Sequence, residues 1–338
     1  MSFKRLQADD VVISSDAITT PSWSNNVTTL STFHTSSAQV AGASGDFYTN
    51  TYQTASTDST AAVQFSIAYG DVDGRGTLLY NSAVAGNSPS STIYKQYRTL
   101  VNGTEETNLS FGGVTSDYIF AIPVERSRFK EKLFPGSLTL KLSGSDGIIS
   151  LTDNSAYSTT VTFGDSGREY EIISGSQGVR NTSKNASGFT SNSGSYGKFL
   201  PDVGLVLLSG KALDTVSGSG GINLGIGRNT NTNDNNNVKL FNSLIGGGQF
   251  TLRSEETVTS NYVFVRARNS EFNYSNNPSN ITGSGELRHD IMIDNPQSYI
   301  STVGLYNDNN DLLATAKLSR PLIKDFTKEA LIRIKLDY

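Results

Sequence analysis

The sequence predicts a mainly β protein: two or more β-sandwich-like modules with an extended N-terminal arm, long polar loops and little helix. Three observations predict it. Apolar residues recur at every second position in short runs, the period of a half-buried strand. The remainder is rich in Ser, Thr and Asn and contains 32 glycines, which suit strands and turns better than helix interiors. No helical periodicity is sustained beyond a few turns. At 338 residues the chain exceeds the size at which single cores stop growing, so several modules are expected. The boundaries read as an arm over 1–60, a β module over 61–174, a loop-rich region over 175–250 and a C-terminal β module over 251–338.

In order along the chain, Ser14 to Thr60 reads as a surface-running arm anchored by Trp23, Phe33 and Phe47. AVQFSIAYG places Val63, Phe65, Ile67 and Tyr69 on one strand face. STIYKQYRTLV is expected to form a short helix, capped by Ser90 or Ser91, with Ile93, Tyr97 and Leu100 on one side. RSRFKEKL and DFTKEAL each suggest one or two helical turns. SLTLKLSGSDGIISLT reads as a hairpin, and TTVTFGDSGREYEIISG as another that turns at Gly164 to Gly167. Two polar segments, Gly175 to Tyr196 and Gly218 to Asn237, read as long loops, the second with a short strand at INLGI. ALIRIKLDY alternates Ala330, Ile332, Ile334 and Leu336 with Leu331, Arg333, Lys335 and Asp337, as a half-buried strand does. VTSDYIF from Val114 and VTSNYVF from Val258 align without a gap, with a Ser, a Phe and a Pro following in each, and suggest two related modules.

Chemistry-bearing patterns are few. With no cysteine, there is no thiolate nucleophile and no Cys metal site. The net charge of -4 argues against a nucleic-acid groove, and no apolar run has the length of a membrane span. The N-terminus, MSFKRLQADDVV, lacks the apolar core expected of a secretory leader. His34 has no local partner, and His289 beside Asp290 and Asp294 is too sparse for a metal centre. GDVDGRG at Gly70 to Gly76 starts like a calcium loop but reaches Ser82 where a bidentate Glu belongs, so a tight turn is expected. NDNND at Asn307 to Asp311 poses the same choice, and hairpin turn chemistry is the better fit. Glu255 and Glu256 are adjacent and, on a strand, point to opposite faces, so they cannot act as a glycosidase pair. YKQYR at Tyr94 to Arg98 reads as an amphipathic turn. RSRFKEK is the most basic local run and reads as a solvated or subunit-contacting face. No cofactor, metal or catalytic residue is expected.

The stretch GLYNDNNDLLATAKLSRP, followed by KEALIRIKLDY, resembles a C-terminal module of tail and baseplate proteins of contractile-tailed bacteriophages. FKRLQADDVVISSDAITTPSWS, VQFSIAYG, SSTIYKQYRTLV, SDYIFAI, RFKEKLFPGSLTL, SGSYGKFLPDVG and SEETVTSNYVFVRARNSEFNYSNNPS are similar to virion structural proteins of marine cyanobacterial myoviruses. The resemblance spans nearly the whole chain except the two polar loops. It implies a non-enzymatic virion component of the tail or baseplate, assembled in the host cytoplasm. Its partners would be other virion proteins, in a homo-oligomer or symmetric assembly, with neither nucleic acid nor membrane. In that setting Phe3, Lys4, Arg5 and Leu6 of the arm, and Arg126, Arg128 and Lys130 of the basic run, are the expected partner-binding residues. The terminal strand is a candidate for strand addition to a neighbour. The alternative is a tail adhesin or fibre-attachment protein that binds host glycan through loops near Asn185 and Asn233, with Tyr196 as a stacking platform. A depolymerising enzyme is a third class, and would require paired carboxylates in a cleft.

Overall fold

The computed structural model describes residues 4–36, 48–77, 80–84, 87–183, 185–229, 235–275 and 277–337. Its strands are β1 (Val11–Pro21), β2 (Thr29–Leu30), β3 (Tyr48–Tyr52), β4 (Val63–Asp71), β5 (Ser110–Phe111), β6 (Val114–Thr115), β7 (Tyr118–Pro123), β8 (Lys132–Leu133), β9 (Thr139–Gly144) and β10 (Gly147–Asp153). They continue as β11 (Thr162–Gly164), β12 (Gly167–Ser176), β13 (Val179–Arg180), β14 (Gly197–Leu200), β15 (Leu205–Ser209), β16 (Gln249–Thr251), β17 (Arg253–Ala267), β18 (Ser298–Tyr306), β19 (Leu312–Lys324) and β20 (Ala330–Asp337). Strand makes up 42% and helix 17%, so the protein is mainly β, as its sequence predicts.

The chain divides into two compact units, Ile18–Glu256 and Met1–Ala17 with Thr257–Tyr338. The boundaries expected at residues 60 and 174 fall inside the larger unit, and the one expected at 250 lies close to the division at Glu256. In the larger unit one twelve-stranded sheet runs β2-β16-β9-β10-β12-β14-β15-β7-β4-β3, with β11 and β13 attached to β12. It therefore draws on the expected arm, the first module and the loop-rich region together. Local patterning reports that a strand exists but not which distant strand will pair with it, and β2 of the arm pairs with β16, more than two hundred residues on.

Side-chain alternation sends the central strands into two cores. Phe120 and Ile122 of β7, Val206 and Leu208 of β15 and Phe199 of β14 join the larger cluster, with Trp23, Phe65, Leu140 and Phe250. Leu240, Phe241 and Leu244 of the Asn236–Gly247 helix complete it. Ile119 and Ala121 of β7, Leu205 and Leu207 of β15 and Leu200 of β14 enter the second cluster, under the Pro89–Asn102 helix. Strands buried on both faces read as continuous apolar runs such as YIFAIP and LVLL. Trp23 and Phe33 are buried, as arm anchors should be. Phe47 lies outside the described residues.

The Pro89–Asn102 helix begins after Ser88, with proline in its first turn, and stops at Gly103, whose φ of 65° provides the left-handed cap. Its buried stripe is Ser90, Ser91, Tyr94, Arg98 and Val101; of the expected Ile93, Tyr97 and Leu100, the last two pack half-buried against the same cluster and Ile93 does not join it. The reason is close backbone approach. A Cβ on Gly70 of β4 would stand 2.9 Å from the Tyr94 amide nitrogen, so glycine lets the helix settle with Tyr94 facing the sheet. The Tyr94 hydroxyl then donates to the Ser116 carbonyl at 2.8 Å and accepts from the Leu109 amide at 3.1 Å. Burial pushes this phenol up to about 12.

Other expectations separate in the same way. The hairpins β9–β10 and β11–β12 form where turn residues announced them. DFTKEAL is no helix: Asp325 caps a turn by accepting from the Thr327 amide and hydroxyl. RSRFKEKL gives only a 3₁₀ turn, Arg126–Arg128, before β8. INLGI forms no strand, and the second polar segment leads into the Asn236–Gly247 helix. The Gly175 to Tyr196 segment is tied down: β13 folds back on β12, and Thr190, Ser193, Ser195 and Tyr196 are buried. The matched VTS motifs diverge in context. The first is split between β6 and β7, whereas the second runs unbroken through β17.

In the smaller unit β17 lies between β1 and β20, and β17 pairs with β20 from Ser260↔Asp337 to Ala267↔Ala330. The β20 pattern of buried Ala330 and Ile334 against exposed Leu331, Arg333 and Lys335 is the alternation its sequence displays. The hairpin β18–β19 forms a sheet of its own.

Candidate interaction surfaces

The smaller unit is poor in core. Its described buried apolar residues are Val263, Ala267, Ala330 and Ile334, and neither hydrophobic cluster includes any residue from it. Among the described residues, more than half of the exposed large apolar side chains belong to it nonetheless, including Leu313 at 68%, Ile293 at 68%, Tyr299 at 62% and Phe326 at 57%. Soluble chains normally put such side chains inside, and large exposed apolar surfaces mark contact sites.

The β18–β19 hairpin carries much of this surface. Its register runs from Ser298↔Lys324 to Tyr306↔Leu312, with Leu318 to Pro321 looped out opposite Ser301. At its turn, Asn307 Oδ1 accepts from the amides of Asn309 and Asp311, and Asn310 adopts a φ of 66°. The NDNND stretch is thus a hairpin turn. At the base, buried Lys324 donates to the Asn269 and Asp325 carbonyls and to Asn273 Oδ1. No sequence pattern announced this lysine, because its three acceptors come from turns on either side of the hairpin.

The residues expected to bind partners are held mainly by their own chain. Lys4 pairs with Glu271 at 3.2 Å and donates to the Arg266 carbonyl. Arg5 is exposed and Leu6 half-buried, while Phe3 lies outside the described residues. Arg126 stacks on Phe129 at 4.7 Å and donates to its carbonyl. Arg128 donates to the Ser24 and Ser127 hydroxyls, and Lys130 pairs with Glu256. The basic run acts as a latch within the larger unit, and its exposed ion pair contributes about 0–1 kcal/mol.

A groove of about 710 Å³ opens on the larger unit. Asp146, Ser150, Ser174, Arg180 and Asn181 are among its lining residues. Tyr196 also borders it, but its ring is fully buried and its hydroxyl donates to the Gly220 carbonyl, so it is no stacking platform. Arg180 lies over the Tyr157 ring at 4.6 Å. Asn233 lies outside the described residues.

Compared with known protein families, characterised proteins and solved structures, the chain matches none.

Among the described residues no three His, Asp or Glu side chains stand close enough to hold a metal ion, and no helix is long and apolar enough to cross a membrane. GDVDGRG is a turn organised by buried Asp71, which accepts from the Asp73 and Arg75 amides and pairs with Arg228 at 2.6 Å. His34 and His289 are exposed. Glu255 and Glu256 diverge, toward Lys132 at 3.8 Å and Lys130 respectively.

Two carboxyls, Asp153 and Glu171, are held above the usual range, both chiefly by burial. Neither lines the groove. Asp153 accepts from the Gly136 and Ser155 amides, and Glu171 from the Ser195 hydroxyl. Because the folded chain holds the Asp153 proton to higher pH than the unfolded chain, this group's contribution is complete below the unfolded value and is lost as pH rises through the raised one. Asp153→Asn keeps an acceptor and removes the titration. Its urea midpoint should therefore decline less than the wild-type midpoint as pH rises above about 4. Parallel declines would show that Asp153 does not govern this range.

Proposed function

We propose that the chain is a non-enzymatic structural component of a contractile-tailed phage particle, placed in the tail or baseplate, where it joins neighbouring subunits. One observation carries the reading: a unit whose described residues include four buried apolar side chains and a disproportionate share of the exposed ones. A sheet layer needs a second layer to bury its apolar face. Neighbouring proteins in an assembly supply one. The arm, read as a wrap around a neighbour, engages its own unit through Lys4, which shifts the joining role to β18–β19 and its flanks.

The absence of catalysis is part of the proposal. Among the described residues Asp146 is the only carboxylate lining the groove, whereas glycoside hydrolysis requires two. Antibodies against the chain should decorate purified particles of the virus that encodes it, at tail or baseplate, in negative-stain micrographs. Particles free of the protein would overturn the reading.

The groove favours a second reading, a glycan-binding attachment protein. Hydroxyl and amide groups with one Asp and one Arg are suitable chemistry for sugar hydroxyls. Binding to an oligosaccharide array that is lost in Arg180→Ala would promote it over the first.

A further inference from the structure

The two edges of the β18–β19 hairpin differ. β19 carries Lys317, Arg320 and Pro321, residues that discourage further strand pairing. β18 reads SYISTVGLY, with no charge and no proline, and among the described residues it pairs only with β19. A lone two-stranded ribbon is marginal in water, and three or more strands are needed for independent stability.

We propose that β18 pairs antiparallel with β18 of a second copy of this chain, about a two-fold axis, to give a four-stranded sheet with both β19 strands outermost. Charge selects this occupant and this direction. An isologous contact sets a surface against itself. β18 meets its own copy with no charged residue on either strand, whereas β19 against β19 would bring together two strands that each carry Lys317, Arg320 and Pro321. The hairpin turn carries Asp308 and Asp311. Parallel pairing would place two acidic turns side by side, while antiparallel pairing sends them to opposite ends of a strand about 30 Å long.

Side-chain sizes fit the same arrangement. Centred on Thr302, the antiparallel register sets Tyr299 against Leu305 and Ile300 against Gly304, a large residue facing a smaller one in each case. Gly304 lies beneath the ring of Tyr306, where a Cβ would approach ring carbon Cε2 to 2.8 Å, so that position is already roofed on its own strand. The inference rests on the reading that the smaller unit makes protein contacts and not on where the protein sits in a particle.

The natural chain has no cysteine, so one introduced thiol reports on one position. Thr302 and Thr315 are both exposed, the first on β18 and the second on β19. At the two-fold axis, Thr302 and its copy would lie within the Cα separation that a disulfide tolerates. Under mild oxidation the full-length Thr302→Cys chain should become a covalent dimer, and Thr315→Cys should not. Sedimentation of the wild-type chain at micromolar concentration should give a dimer, and Thr302→Glu should weaken it at least tenfold. That glutamate faces its own Lys317 within the hairpin but its own copy across the axis, so circular dichroism should be unchanged. A wild-type monomer, equal cross-linking at the two positions, or an undisturbed Thr302→Glu dimer would overturn the pairing. A monomer still found in particles would leave the assembly reading standing, and a dimer absent from particles would do the reverse.

Discussion

Phe250→Ala is expected to destabilise the larger unit by about 3–5 kcal/mol, read as a fall in urea midpoint with an unchanged slope. Phe250 is fully buried, and its ring centroid lies 5.0 Å from those of both Trp23 and Phe65. Truncation removes two ring contacts and leaves a cavity between the arm and β16. The Trp23 indole, which donates to the Phe250 carbonyl at 3.0 Å, stays in place because that bond is to backbone. Trp23 is the only tryptophan, so its fluorescence follows the same transition. A loss below about 1 kcal/mol would mean that the cavity collapses or that the three rings are not packed as described.

Asp71→Ala should cost a similar amount, about 3–5 kcal/mol, by a different route. Asp71 is fully buried and Arg228 is three-quarters buried, at 2.6 Å. Removing the carboxylate leaves the guanidinium without its principal counter-charge and the Asp73 and Arg75 amides without their acceptor. Arg228 also lies over the Tyr118 ring at 4.6 Å and 3.8 Å from the more exposed Asp117, and neither replaces Asp71. The double variant Asp71→Ala with Arg228→Met should recover part of the loss, because a missing pair costs less than a stranded charge. Additive losses in the double-variant cycle would refute the coupling.

Much of this architecture was legible in the sequence, and particular residues show why the rest was not. Period-two alternation identified β4, β9 and β20, because each sets its core-facing apolar residues at every second position, and β10 followed from the hairpin turn after β9. The turns at Gly164 to Gly167 and Asn307 to Asp311 were legible because their backbone conformations demand particular residue types. Pairing across distance was hidden: nothing in VTTLSTF indicates that Thr29 will face Thr251. The side of the Pro89–Asn102 helix that is buried was hidden as well, since it depends on the absent side chain of Gly70. Arg126, Arg128 and Lys130 were conspicuous as cations, but only coordinates reveal that Phe129, Ser24 and Glu256 engage them. The exposed apolar residues of the smaller unit appeared in sequence as ordinary strand residues, because exposure is a property of what covers them.

The pairing of β2 with β16 bears on how the chain is made. The ribosome releases Trp23 early and Phe250 more than two hundred residues later, an interval of about ten to forty seconds at ordinary elongation rates. During synthesis the first edge of the great sheet has no mate, and the indole must wait unpacked or in the grip of a chaperone. Closure is therefore a late event, and a translation pause just before codon 249 would lengthen the time for which this apolar segment invites aggregation.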